Sequence, residues 1–86
     1  MSTPVEITVR YFAAARAAAA TDCEQVAVPT DATVAQLVDE LSARNEQLAR
    51  VLPRCSYLSD GVAVRDPATR LRAGTVIDVL PPFAGG

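Results

Sequence analysis

Thr75-Val76-Ile77-Asp78-Val79-Leu80, followed at once by Pro81-Pro82-Phe83-Ala84-Gly85-Gly86, is the stretch around which the rest of the chain can be organised. The first six residues are rich in β-branched side chains and read as a strand. Pro81 cannot donate a ladder hydrogen bond, so the strand stops there. Pro81 and Pro82 fix φ near −65° and favour a stiff, extended stalk. Gly85 and Gly86 carry no side chain and can thread a channel too narrow for other residues. From Leu80 onward an extended chain reaches roughly 20 Å. The expectation is a Gly86 carboxylate carried into another protein's active site while the body stays outside. The competing reading is a frayed end. A flexible linker would carry Ser and Gly rather than Phe83, which favours the functional reading.

A final strand needs partners, and the chain before it offers them. Val5 to Phe12 alternates, with Val5, Ile7, Val9 and Tyr11 on one face and Glu6, Thr8, Arg10 and Phe12 on the other. Ala13 to Ala20, alanine except for Arg16, reads as a turn of helix or an ordered loop. Glu24 to Val28 is a second strand, stopped by Pro29 and expected antiparallel to the first. Thr33 with Gln36 fits a capping box. It opens the one clear helix, whose Val34, Leu37, Val38 and Leu41 form an apolar stripe. Glu46 to Leu52 adds a further turn, with Leu48 and Leu52 inward, before Pro53. Asp60-Gly61 between short apolar runs signals a hairpin, and Leu71 is expected to plug the core. The first and last strands are the longest and are placed side by side at the centre of a mixed sheet covered on one face by the helix.

Composition narrows what such a domain can do. Eighty-six residues make one small domain. Half are hydrophobic, but sixteen are alanine, so valine and leucine must supply most of the core. Net charge is −2, which lacks the footprint of a nucleic-acid binder. No apolar run approaches the ~20 residues of a membrane span, and the N-terminus has no secretion-signal pattern, so cytoplasmic residence is expected. There is no histidine, which removes the commonest general base and metal ligand, and no metal site is expected. There is no lysine either; all eight basic residues are arginine. Cys23 and Cys55 are expected as small core residues with inert thiols.

The order of elements, and three stretches, carry a family. They are Val9-Arg10-Tyr11-Phe12-Ala13 with Arg16, Ala32-Thr33-Val34 through Leu37, and Ala73-Gly74 through Asp78-Val79 into the Pro-Pro-x-Ala-Gly-Gly ending. The sequence resembles the small subunit of molybdopterin synthase, in the MoaD/ThiS group of sulfur carriers. One departure is Ser59, where members commonly have Asn before the turn. The resemblance implies an α+β, β-grasp (ubiquitin-like) domain over residues 1–86. Its mixed sheet has four to five strands, one main helix packs on one face, and residues 81–86 form a protruding tail. It implies that Gly86 is adenylated and then thiocarboxylated, and gives its sulfur to cyclic pyranopterin monophosphate. Gly85, Ala84, Phe83, Pro82 and Pro81 would enter the partner's active site, with Phe12 and Leu80 at the partner interface, a buried Phe12 being the equal alternative. The implied partners are the synthase large subunit, in a heterotetramer with two copies of each, and an activating enzyme that uses ATP. No cofactor bound by this chain, no nucleic acid and no membrane are expected, and the chain would act as a sulfur-donor subunit without catalytic residues of its own. Alternatives are a sulfur carrier for thiamine or cysteine synthesis, a ubiquitin-like protein modifier, and a plain binding module with an idle tail. A β-grasp ferredoxin is excluded, since two cysteines cannot supply four cluster ligands.

Overall fold

The computed structural model describes residues 3–82. In chain order it contains β1 (Val5–Tyr11), α1 (Ala13–Ala19), β2 (Cys23–Val28), α2 (Val34–Arg44), α3 (Glu46–Val51), a 3-10 turn (Leu52–Arg54), β3 (Ser56–Ser59), β4 (Val62–Ala63) and β5 (Val76–Leu80). The five strands form one sheet in the order β2-β1-β5-β3-β4. β1 and β5 run parallel, with Thr8 opposite Val76 and Tyr11 opposite Val79. β2 is antiparallel to β1, and β3 is antiparallel to both β5 and β4. This is the β-grasp arrangement, with the first and last strands adjacent as expected, although the six-residue β2 is longer than the five-residue β5.

Local chemistry explains the boundaries. At the start of α2 the Thr33 hydroxyl accepts from the Gln36 N–H at 3.2 Å, and the Gln36 side chain accepts from the Thr33 N–H at 2.8 Å. The next two free donors go to a neighbouring loop: Val34 N–H to the Thr69 carbonyl and Ala35 N–H to that of Pro67. The hairpin between β3 and β4 turns on Asp60 (φ 47°) and Gly61 (φ 84°). Two successive left-handed residues suit the right-handed twist of the flanking strands. Asp60 is also tied to β5, donating its N–H to the Val76 carbonyl and accepting the Val76 N–H on its carboxylate, both at 2.9 Å.

The core lies between one sheet face and the helices. Ile7, Val9, Tyr11, Val26, Val28, Ile77 and Val79 from the sheet meet Val34, Leu37 and Leu41 of α2 and Leu48 of α3, with Leu52 and Leu71 closing it. Burying these side chains supplies the main drive to fold, at ~1.5–3 kcal/mol each. One open reading is resolved and one expectation changes. Ala13–Ala19, read as a turn of helix or an ordered loop, is a helix of two turns. So short a helix is held by tertiary contacts: Ala15 is fully buried, and Asn45 donates from its side chain to the Ala18 carbonyl at 3.1 Å. Cys23 is exposed rather than in the core, because it lies on the outward face of an edge strand; Cys55 is half-buried. Among the described residues no helix is long and apolar enough to cross a membrane.

Candidate functional site

The core lies on one sheet face, and among the described residues no helix covers the second; strand alternation and register state what lies there. Arg10 is opposite Cys23 on one side and Asp78 on the other, and Asp78 is opposite Leu58. These four residues form a row across β2, β1, β5 and β3. In the next row Phe12 and Leu80 follow the paired Tyr11 and Val79, so they lie side by side, with Ser56 opposite Leu80. The Phe12 N–H donates to the Val79 carbonyl at 3.2 Å, which extends the β1–β5 pairing by one residue. Phe12 is 39% exposed on this open face, so its ring is accessible rather than buried. Leu80 beside it is half-buried.

The centre of the face is charged. Arg10 donates from Nε to Asp78 Oδ1 at 2.6 Å and from Nη2 to Asp78 Oδ2 at 2.9 Å. This is a two-point contact of planar groups. The hydrogen bond and charge of Asp78 push the Arg10 pKa up, so the guanidinium stays charged. Its Cζ lies 5.8 Å from the centroid of the Phe12 ring, within cation–π range. Sequence reasoning missed this pair as a unit. The available signal was opposite charge at outward positions of two strands already expected to be neighbours.

The base of the tail is built on the other side of Leu80. Pro81 is buried and Pro82 is exposed, so the chain leaves the body at Pro82. Both prolines line a cleft of about 220 Å³ with Ala14, Arg50, Val51 and Arg54. Thus α1 and α3 brace the end of the central strand. Phe83, Ala84, Gly85 and Gly86 lie outside the described residues.

At the edge of the sheet the polar groups are tied down. Tyr11 donates its hydroxyl to Glu24 Oε2 at 2.8 Å, and Arg44 Nη2 lies 3.5 Å from Glu24 Oε1, joining β1, β2 and α2. Burial, reinforced by Glu24, raises the Tyr11 pKa; burial also raises that of Tyr57, whose hydroxyl donates to the Leu52 carbonyl at 2.9 Å. The half-buried Cys55 thiol donates to the Val51 carbonyl at 3.3 Å, and burial raises its pKa. That disfavours the thiolate a sulfur relay would need.

The model of the ThiS family matches residues 9–86. Among solved structures, the chain is similar to a putative molybdopterin converting factor, subunit 1, from Pyrococcus furiosus, at 28% identity over 92% of this chain and 99% of that one, with a TM-score of 0.84. It is similar to SAMP1 from Haloferax volcanii at 26% identity over 94% and 99% of the two chains, with a TM-score of 0.83. It shares its fold, at 22% identity, 95% and 100% coverage and a TM-score of 0.71, with a chain in the protein–protein complex of subunits 1 and 2 of molybdopterin-converting factor from Helicobacter pylori 26695. No curated protein sequence matches it significantly.

Proposed function

The chain belongs to the ThiS family, and on that premise we propose that it is the sulfur-carrier subunit of a molybdopterin synthase. An α-carboxylate has a pKa near 3.5 and is ionised at neutral pH, which makes it a poor electrophile. Gly86 therefore has to be activated, by an enzyme that joins its carboxylate to the adenylate of ATP. A sulfur donor then displaces the adenylate, leaving a thiocarboxylate on Gly86. That terminus enters the large subunit and gives its sulfur to cyclic pyranopterin monophosphate, water taking the sulfur's place on the acyl carbon to restore the Gly86 carboxylate, and two such transfers build the dithiolene. This chain contributes geometry and sulfur. With no histidine and no lysine in its sequence, proton transfer falls to the partner. Phe83 is an apolar anchor, and Ala84 and Gly85 give clearance inside the recipient's channel.

The observation that supports this reading most is the continuity between the open face and the tail. Phe12 and Leu80 form an apolar patch, and Leu80 is bonded directly to Pro81, where the braced central strand ends. A partner seated on the patch receives the tail in a fixed direction. The similarity to a subunit 1 of molybdopterin converting factor supports the large subunit as that partner. The test is intact-protein mass spectrometry after incubation with the activating enzyme, ATP and a sulfur donor. One oxygen-to-sulfur increment located at Gly86 is expected, and an unmodified terminus refutes the proposal.

The similarity to SAMP1, a small archaeal modifier protein, supports a second reading, in which the activated Gly86 is joined to lysines of other proteins. Its sign would be higher-mass conjugates in cells that vanish when Gly86 is deleted. Because the 86 residues contain no lysine, such conjugates could not extend through lysine side chains of this chain itself.

A further inference from the structure

Asp78 calls for an explanation that folding alone does not supply. It is 6% exposed and, with Thr75, one of two buried polar or charged residues among those described. Thr75 is accounted for, since its hydroxyl accepts from the Arg72 N–H at 3.2 Å. Asp78 instead sits on the central strand but on the side that no helix covers. A buried ion pair contributes little net stability, and apolar residues of similar size commonly replace one without loss. Its geometry does give one thing an apolar pair cannot. An arginine carries five N–H donors in a fixed plane, and Asp78 takes two of them. The plane is held on Asp78 with the Phe12 ring beside it, while the Arg10 side chain remains 52% exposed. The three remaining donors are thus fixed at the surface, in the middle of the patch that includes Phe12 and Leu80.

Resting on the docking face proposed above, we propose that Arg10 is the specificity-determining contact of that face and Asp78 its positioning residue, and that the surface they select is apolar and carries uncharged acceptors such as backbone carbonyls. The charge balance chooses the acceptor. Asp78 already cancels the charge of Arg10, so a partner carboxylate would approach a neutral pair with another carboxylate behind it. A carbonyl gains the fixed donors without that repulsion. A wrong partner that covers the face without an acceptor leaves the donors dry and unpaired, which is how such a contact discriminates. The surface is also continuous with the departing tail through Leu80 and Pro81, so the same contact sets where the tail enters.

The experiment uses the full chain and the purified large subunit of the synthase as the probe, reading melting temperature and dissociation constant together. The double variant Arg10→Leu/Asp78→Leu is expected to melt at or above the wild-type temperature and to bind at least about tenfold more weakly, the loss expected of unmade hydrogen bonds in a dry interface. Arg10→Lys keeps the charge but loses the planar fork; it is expected to weaken binding with little change in melting, and it serves as the test if the double variant does not fold. Wild-type affinity is expected to change less than about threefold from low to high salt, since no net charge is matched across the contact. Wild-type affinity in both Arg10 variants overturns the role of Arg10, as does a steep loss of affinity with salt. If Phe12→Ala also binds like the wild type, the docking face itself fails, and the role of Arg10 fails with it.

Discussion

Phe12→Ala is expected to weaken docking and folding by separate amounts, because the ring is divided between solvent and the body. A phenylalanine presents ~200 Å², and at 39% exposure ~80 Å² of it faces outward while ~120 Å² is covered. At ~25 cal/mol per Å² the outward part offers up to ~2 kcal/mol to a partner that covers it, or about thirtyfold in dissociation constant. The covered part contributes up to ~3 kcal/mol to the fold, an upper limit because unfolded chains already hide some of that surface. Loss of the Arg10 contact at 5.8 Å adds about 0.5–1 kcal/mol. For a domain of this size each kcal/mol lost lowers the melting temperature by ~4–8 °C. Calorimetric titration against the large subunit, well below the variant's melting point, reads the first amount; thermal melting by circular dichroism reads the second. Phe12→Leu separates them further, since leucine restores much of the covered surface but less of the outward one. A variant that melts early yet binds the large subunit with wild-type affinity would refute the assignment of Phe12 to the docking face.

Deleting Gly85 and Gly86 is expected to abolish the sulfur mass increment and leave the melting temperature unchanged, since among the described residues the only buried one beyond Val79 is Pro81; a lower melting temperature would mean that the tail helps hold the body together. Thr33→Ala removes the hydroxyl that accepts the Gln36 N–H at 3.2 Å, for a loss of about 1 kcal/mol in denaturant unfolding with no effect on thiocarboxylation. Tyr11 and Tyr57 both have pKa values raised above the ordinary 10. Their neutral forms are favoured in the fold, so the stability they confer is complete below pH ~10 and is lost as pH rises beyond it, where the unfolded chain releases protons that the folded one keeps. Tyrosinate absorbance is therefore expected to rise together with alkaline unfolding; two tyrosines titrating near pH 10 with the fold intact would contradict the burial of their hydroxyls.

The parts of this fold that were legible in sequence are those fixed by short-range rules. Alternation placed Ile7, Val9 and Tyr11 inward, Thr33 and Gln36 marked the start of α2, and Asp60-Gly61 marked the hairpin. The stretch Ala13–Ala19 was legible only as helix or loop, because so few alanines carry little helix on their own and a stabilising contact comes from Asn45, twenty-seven residues away from Ala18. Cys23 was misplaced because its residue type points inward while its position on edge strand β2 points outward. Phe12 stayed ambiguous in sequence, since an aromatic ring suits a core or a surface equally, and its 39% exposure in the fold shows an accessible ring. Arg10 and Asp78 are sixty-eight residues apart; opposite charge on two strands expected to be neighbours hinted at a pair, and the register is what fixes it.

The same register links docking to chemistry. β5 lies between β1 and β3, and its last residues are held from both sides: Leu80 is opposite Ser56, and the Val79 carbonyl accepts from Phe12. Pro81 is then fixed against α1 and α3, and Pro82, the last described residue, is exposed at the rim of the same cleft. From there to Gly86 five residues can span no more than ~18 Å. A recipient that engages Phe12, Leu80 and Arg10 must therefore place its reacting centre within that radius of Pro81. A strand end held as far as Pro81 is ordered before docking, which lowers the entropic cost of each delivery. This geometry favours a recipient with a deep, narrow channel opening beside a flat apolar seat.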